Sequence, residues 1–214
     1  MKYILLDLDD TLYPRDSGIM QRVSQLILEY MEQRLGLEPS RAADLRREYL
    51  RRYGTTMRGL QIDYEIDADD YLTYVHDFPV EDYLQPNPEL DCMLGRITAE
   101  KVLFTNATAE HARRILAALG VERHFSHIFD IVSLGYVNKP DERAYQRVLK
   151  ALDARPQECL LVDDAARNLG PAKAMGMTTV LIGTQNSQDA DFVIEDILKL
   201  GQVVEELERR ERES

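Results

Sequence analysis

Short apolar runs that end in polar residues recur along this chain, and they constrain its fold more than any other feature. The first run, residues 3–8, leads into the sequence Asp7-Leu8-Asp9-Asp10-Thr11. Later runs lie at residues 101–105, 128–132, 159–162, 178–182 and 192–194. Continuous apolar runs of this length are typical of parallel strands buried on both faces, and helical patterns separate them here. The alternation predicts an α/β fold in which a doubly wound parallel sheet forms a Rossmann-like core.

The stretch between residues 16 and 83 lacks this alternation. Apolar residues recur there at helical spacing, and no strand pattern is evident. Helices are predicted from Ile19 towards Gly36, from Pro39 to Tyr53 and from Ala68 to Val75. We therefore predict a helical domain, residues 15–85, inserted into a core formed by residues 1–14 and 86–214.

Helix ends in the core are marked by polar, proline and glycine residues. Thr108 is placed to cap a helix that ends at Gly120. Pro140 stands where a first-turn proline is favoured, and it is predicted to open a helix to about Leu152. The charged tail, residues 205–214, is predicted to be a solvated helix end or a frayed terminus.

The charge balance excludes one broad class of function. With 38 acidic and 26 basic residues the formal net charge is −12, whereas a general nucleic-acid binder needs a cationic surface. A small anionic substrate is compatible, because one metal ion and one lysine reverse the local field. The two cysteines have no zinc-like spacing, and no apolar run approaches the ~20 residues that span a membrane. The sequence starts without a secretory signal, so we expect a cytoplasmic protein with no membrane or nucleic-acid partner.

Four groups of polar residues follow predicted strands or lie in the loops after them. They are Asp7 with Asp9, Thr105 with Asn106, Lys139, and Asp163 with Asp164. Ligands of open α/β sheets bind at the carboxyl ends of the strands. We therefore expect these groups to line one site.

The first group, Asp7 and Asp9, offers two carboxylates that face the same side on a regular strand. One carboxylate can attack phosphorus and form an aspartyl phosphate. The other, if protonated, can donate to the leaving oxygen and later deprotonate water. Taken alone, the motif fits a pair of acidic surface residues in a loop equally well.

Each of the other groups can also be interpreted as either functional or structural. Acidic residues after a buried strand are unfavourable unless they bind a cation, so Asp163 and Asp164 suit magnesium, although either can cap a helix. Thr105 and Asn106 can donate to phosphate oxygens or cap the next helix. Lys139 can offset phosphate charge, but a single lysine is normally a solvated surface residue. The order of the groups along one α/β pattern is what favours a shared site.

In that order, the motifs resemble those of the haloacid dehalogenase superfamily. The matching segments are Asp7-Leu-Asp-Asp-Thr11, Leu103-Phe-Thr-Asn106, Lys139-Pro140 and Val162-Asp-Asp-Ala-Ala-Arg-Asn168, and the resemblance covers nearly all of residues 3–183. It implies that Asp7 is the nucleophile and a Mg²⁺ ligand. It further implies that Asp9 is the general acid and base and that its backbone carbonyl ligates the metal. Thr105 and Lys139 are implied to bind phosphate.

The resemblance also implies which residues bind the metal ion and hold the loop around it. Asp164 is implied to ligate it directly, and Asp163 to assist, either directly or through water. Asn168 is implied to hold this loop, and Ala165 stands where the family often has Ser, so that one hydrogen bond is missing. Dehalogenases of the superfamily need no metal and lack the second Asp. Asp9 therefore makes the chain similar to the phosphatase or phosphomutase branches.

Several segments resemble the pyrimidine 5′-nucleotidase subfamily. They are residues 53–59, residues 103–112, Asp10-Thr-Leu-Tyr13 and His76-Asp77. The resemblance implies that the insertion is a cap domain and that the substrate is a pyrimidine nucleoside 5′-monophosphate. Arg58, beside a glycine-bounded turn, is the candidate cap contact. The alternatives are a phosphatase of sugar phosphates or pyridoxal phosphate, a phosphomutase, or a non-catalytic binding protein. We expect a monomer or a small homo-oligomer.

Overall fold

The computed structural model describes residues 1–213, which form two compact units. The core unit comprises Met1–Pro14 and residues 84–213, and the helical unit comprises Arg15–Tyr83. The helical unit thus ends at Tyr83, slightly before residue 85 where the sequence analysis ends the insertion.

The helical unit contains α1 (Ile19–Gln33), α2 (Pro39–Tyr53), α3 (Thr56–Tyr64) and α4 (Ala68–Val75). The bounds of α2 and α4 match the prediction, whereas α3 occupies a segment that was interpreted as a turn. Thr55 caps α3, because its hydroxyl accepts a hydrogen bond from the backbone N–H of Arg58 at 3.2 Å. Arg58 therefore lies in the first turn of a helix.

Tyrosines of the helical unit pack mainly against its own helices. The Tyr30 and Tyr71 rings meet edge to face with centroids 5.1 Å apart, and the Tyr30 hydroxyl donates to Asp70. The Tyr49 hydroxyl donates to Asp63 at 2.6 Å. Such contacts satisfy the polar end of a buried aromatic side chain, so these tyrosines stabilise the bundle.

Strands of the core unit form one parallel sheet. Within residues 1–213 they are β1 (Tyr3–Leu6), β2 (Glu100–Phe104), β3 (Phe125–Phe129), β4 (Cys159–Asp163), β5 (Thr178–Ile182) and β6 (Phe192–Ile194). Their order is β3-β2-β1-β4-β5-β6, and each neighbouring pair is parallel. The chain builds outward from central β1 in both directions, as in a doubly wound sheet. The predicted α/β fold with a Rossmann-like core is confirmed.

Helices cover this sheet. They are α5 (Pro88–Arg96), α6 (Ala109–Leu119), α7 (Glu142–Leu152), α8 (Ala166–Met175) and α9 (Leu200–Glu213). On one face, Leu5 and Leu161 pack in a cluster with Tyr145 of α7 and Leu169 of α8. Ile4 points to the opposite face and is also fully buried, so both faces are covered. This explains why the strands read as continuous apolar runs and not as alternating ones.

Local signals fixed α6 as predicted. The Thr108 hydroxyl accepts from the backbone N–H of His111 at 3.3 Å, and Gly120 ends the helix with φ 75°. A left-handed conformation of this kind favours glycine because it lacks a Cβ atom.

Two element boundaries differ from the prediction. β3 ends at Phe129, so the strand predicted over 128–132 was displaced along the chain. The Asp130 carboxylate accepts backbone N–H groups of Ser133 and Ala109, which turns the chain there. Pro140 likewise precedes α7 and does not lie in its first turn, because the Asp141 side chain caps that helix.

Of the two alternatives predicted for the charged tail, the structure matches the solvated helix end and not the frayed terminus. Residues 200–213 form α9, and Ser214 lies outside the described residues. Leu200, Val203 and Val204 recur at helical spacing and are buried, which anchors the start of the helix. Among the described helices, none combines the length and apolar character needed to cross a bilayer.

Candidate active site

Two acidic side chains and one lysine meet at the carboxyl edge of the sheet. Asp7 directly follows β1, and its backbone N–H donates to the Val162 carbonyl of β4 at 3.0 Å. Asp163 is the last residue of β4. Lys139 Nζ donates to Asp7 Oδ1 at 2.8 Å and to Asp163 Oδ2 at 2.6 Å. The structure therefore brings together residues from three of the polar groups.

Lys139 is almost completely enclosed, with 1% of its surface exposed, and its Nζ lies 5.0 Å from the centre of the Phe104 ring. Burial alone would lower the pKa of Lys139, but Asp163 and Asp7 raise it, so the side chain stays a cation. Burial raises the pKa of Asp7 well above its ordinary value, and Lys139 opposes that shift. One cation thus faces two buried carboxyl groups, and further positive charge would favour an ionised Asp7.

The backbone of Lys139 is held by the side chain of Asn106. Asn106 Oδ1 accepts from the Lys139 N–H at 2.8 Å, and Asn106 Nδ2 donates to the Lys139 carbonyl at 3.1 Å. Asn138 Nδ2 donates to the same carbonyl at 2.7 Å. Both ends of the Asn106 amide are engaged with this loop, so its phosphate contact stays a prediction. The sequence analysis missed Asn138, whose only signal is its place beside Lys139.

An acidic cluster suitable for a metal ion adjoins Lys139. Asp7, Asp163 and Asp164 each offer a carboxylate oxygen, and these atoms lie within 4.8 Å of one another. Oxygen donors of this kind suit hard cations such as Mg²⁺, which usually takes one or two carboxylates and keeps several waters. The donor set therefore fits a divalent cation.

Protein donors hold both oxygens of the Asp163 carboxylate. Asp163 Oδ1 accepts from the Ala165 N–H at 2.9 Å, and Asn168 Nδ2 lies 2.9 and 3.0 Å from the two Asp163 oxygens. Asp163 is fully buried, whereas Asp164 is half-buried. The donors to Asp163 suit an orienting role for this side chain, and the direct ligand role of Asp164 stays a prediction.

Asp9 is held by a residue that the sequence analysis did not assign to the site. The Tyr13 hydroxyl donates to Asp9 Oδ1 at 2.5 Å. Burial raises the pKa of Asp9, while the hydrogen bond from Tyr13 and the charge of Lys139 oppose that shift. A carboxyl group with a raised pKa is suited to donate a proton. The two residues are four positions apart in a loop, where that spacing does not specify a contact.

The remaining predicted site residues lie in different units. Thr105 follows β2 and is fully buried, and its Oγ1 accepts from the Ala107 N–H at 3.0 Å. A hydroxyl that accepts one hydrogen bond still carries its own proton, so Thr105 can donate to a phosphate oxygen. Arg58 lies in α3 of the helical unit, and its contact with a substrate stays a prediction.

Two known proteins that are similar to this chain carry names that refer to phosphate metabolism or to a phosphatase. The chain is 27% identical over 195 residues to "Phosphate metabolism protein 8" from Saccharomyces cerevisiae, which covers 84% of the chain and 61% of that protein. It is also 27% identical over 136 residues to "Phosphatase MT3486" from Mycobacterium tuberculosis, with 64% and 59% covered. The chain thus spans about three fifths of the length of these relatives.

Solved structures share the fold. A HAD phosphatase from Thermococcus onnurineus superposes with a TM-score of 0.66 at 21% identity, covering 95% of this chain and 98% of that one. L-2-haloacid dehalogenase from Xanthobacter autotrophicus gives a TM-score of 0.61 at 16% identity, covering 96% and 98%. The family model for haloacid dehalogenase-like hydrolases matches residues 1–176. Because this match spans most of the chain and includes Asp7, Lys139 and Asp163, the chain belongs to the haloacid dehalogenase-like hydrolase family.

Proposed function

We propose that this chain is a Mg²⁺-dependent phosphomonoester hydrolase that forms an aspartyl phosphate on Asp7. The observation that carries the proposal is the shared contact of Lys139 Nζ with Asp7 and Asp163, beside three carboxylates within 4.8 Å. This arrangement places one cation, and oxygen donors that fit a divalent metal ion, next to a nucleophilic carboxylate. The names of the relatives "Phosphatase MT3486" and "Phosphate metabolism protein 8" agree with it.

The reaction begins at Asp7. Mg²⁺, when bound by Asp7, Asp164 and the backbone carbonyl of Asp9, supplies positive charge that offsets the phosphate and the acidic cluster. An Asp7 oxygen attacks phosphorus, and the bond from phosphorus to the ester oxygen breaks. Asp9 gives its proton to the leaving oxygen. Lys139 and Thr105 bind the transferred phosphoryl oxygens.

The second half of the reaction regenerates Asp7. Ionised Asp9 takes a proton from water as that water attacks the phosphorus of the aspartyl phosphate, and inorganic phosphate leaves. Asp9 is again protonated and Asp7 is again a carboxylate. A dehalogenase needs only the nucleophile, so the second Asp, held in place at the site, favours the phosphatase reaction.

Replacing Asp7 by Asn tests the proposal directly. We expect Mg²⁺-dependent release of phosphate from p-nitrophenyl phosphate to fall by more than roughly 1,000-fold, because the amide cannot form the intermediate. The matched control is Asp153→Asn, which alters an exposed carboxylate at the end of α7. Chelation of the metal is expected to stop release by the unmodified protein. Full activity of Asp7→Asn would exclude the proposed nucleophile.

We further propose that the helical unit is a cap and that the substrate is a pyrimidine nucleoside 5′-monophosphate. The resemblance of residues 53–59 and 103–112 to that subfamily supports this choice. Sugar phosphates and pyridoxal phosphate are the competing substrates. A phosphomutase would instead return the phosphoryl group to a turned substrate, so release of inorganic phosphate separates the two reactions.

Replacing Arg58 by Ala tests the substrate. We expect KM for uridine and cytidine 5′-monophosphates to rise by roughly 10-fold or more, because one charged hydrogen bond is lost, while KM for p-nitrophenyl phosphate changes little. The control Arg51→Ala removes an exposed arginine from α2 of the same unit. If KM for both nucleotides is unchanged, Arg58 is not a substrate ligand. Faster turnover of sugar phosphates or pyridoxal phosphate than of the nucleotides would favour the broader phosphatase.

A further inference from the structure

Tyr13 is a buried side chain that reaches the proposed acid and base from within the same loop. Only 2% of its surface is exposed, and its hydroxyl donates to Asp9 Oδ1 at 2.5 Å. A hydrogen bond from a hydroxyl to a carboxylate at this distance is strong and directional.

The loop after β1 explains why Tyr13 returns to Asp9. The Leu8 carbonyl accepts backbone N–H groups from Thr11 at 3.3 Å and Leu12 at 3.0 Å, which closes one tight turn. Asp10 takes a left-handed conformation with φ 54° inside that turn. This turn brings Tyr13, four positions after Asp9, back beside the Asp9 side chain.

Buried residues accompany Tyr13 in this stretch of the chain. Leu8 is fully buried and Leu12 is 1% exposed, so the chain on either side of the turn is anchored in the core unit. A phenol is protonated at neutral pH, so Tyr13 acts as a fixed hydrogen-bond donor.

We propose that Tyr13 is a positioning residue that holds Oδ1 of Asp9, so that Oδ2 carries the proton that moves during phosphate-ester hydrolysis. This inference rests on the proposed function. In the first half of the reaction the proton leaves Oδ2 for the ester oxygen, and the new negative charge on Asp9 is stabilised by the hydrogen bond to Oδ1. In the second half Oδ2 takes a proton from water. Tyr13 neither gains nor loses a proton in either half.

This role predicts a dependence on the leaving group. An alkoxide is a strong base and leaves only if it receives a proton, whereas nitrophenolate is a weak base that leaves without much assistance. The value of kcat/KM reports the steps up to the first bond cleavage and excludes hydrolysis of the intermediate. A defect in Asp9 placement must therefore lower kcat/KM for alkyl phosphates far more than for aryl phosphates.

The test replaces Tyr13 by Phe, which removes the hydroxyl and keeps the ring. We expect kcat/KM for uridine 5′-monophosphate and glycerol 2-phosphate to fall by roughly 10- to 100-fold, and that for p-nitrophenyl phosphate by less than about 3-fold. The control Tyr3→Phe removes a hydroxyl that is also in the buried core unit and donates to the Leu152 carbonyl at 3.3 Å. It is expected to leave the ratio between alkyl and aryl esters unchanged.

A double variant shows whether Tyr13 acts through Asp9. In an Asp9→Asn background, Tyr13→Phe is expected to lower kcat/KM for the alkyl esters by less than about 2-fold further, because the group it positions is gone. Equal losses for alkyl and aryl esters, no loss for either, or a full additional loss in the Asp9→Asn background would overturn the inference. If the unmodified protein hydrolyses none of the three esters, the proposed function fails and this inference fails with it.

Discussion

At the scale of single residues, Lys139 carries much of the electrostatic balance of the core unit. Its ammonium group is the donor to both Asp7 and Asp163, and 1% of its side chain is exposed. Removing one partner of a buried ion pair leaves the other charges uncompensated, which is far more harmful than removing a surface pair. Stability and chemistry therefore depend on the same side chain.

Replacing Lys139 by Met tests whether loss of this buried lysine destabilises the protein more than loss of an exposed one. We expect the free energy of unfolding, measured with urea at neutral pH without added metal, to fall by about 3–5 kcal/mol. Lys173→Met is the matched control, since Lys173 pairs with Asp191 at 3.0 Å but both side chains are 36% exposed. That variant should lose no more than about 1 kcal/mol. Similar losses for both variants would contradict the assigned burial of the Lys139 charge.

The positions of Asp7 and Asp163 could be predicted from the sequence because both lie at the ends of strands. Asp7 follows β1 and Asp163 is the last residue of the neighbouring parallel strand β4, so both lie at one edge of the sheet. The two hydrogen bonds between the Asn106 side chain and the Lys139 backbone join loop residues that are 33 positions apart. Loop conformations of that kind have no periodic signal, and for the same reason Tyr13 could not be assigned to Asp9 in advance.

At the scale of elements, the sequence pattern predicted the bounds of several helices and strands. Pro39 and Gly54 bound α2, and the bounds of α4, β5 and β6 also agree with the sequence pattern. α3 was missed because Thr55, Thr56 and Gly59 are residue types typical of turns. The structure gives the reason for Gly59: a Cβ atom there would lie 2.1 Å from Cγ of the Tyr49 ring. Close packing of α3 on α2 thus overrides a weak helix propensity.

Gly59→Ala tests this packing. We expect the free energy of unfolding by urea to fall by about 1–3 kcal/mol, because the methyl group meets the buried Tyr49 ring and the helices must separate or the ring must turn. The control Gly201→Ala lies in α9, where the nearest side-chain atom, Met93 Cγ, is 3.7 Å from the added Cβ. Alanine is the better helix former, so this variant should be unchanged or up to about 1 kcal/mol more stable. A Gly59→Ala variant as stable as the control would refute the tight contact.

At the scale of the whole molecule, the acidic cluster belongs to the core unit, and the helical unit is inserted into the chain after the first strand. Asp7, Lys139 and Asp163 all belong to the core unit, although residues 15–83 intervene between the first of them and the others. The sequence predicts an inserted helical domain because a helical period replaces the strand–helix alternation over that stretch. The bounds of the two units follow from packing, which composition alone does not specify.

The central position of β1 has a consequence for biosynthesis. Tyr3 pairs with Glu100 on one side and with Cys159 on the other, so the ribosome releases this strand long before either neighbour exists. Local helices form within microseconds, whereas pairing between distant segments is slow. An apolar, strand-forming segment therefore stays without partners while translation continues, and such segments promote self-association. Only after β4 has been synthesised can both edges of β1 be paired with neighbouring strands.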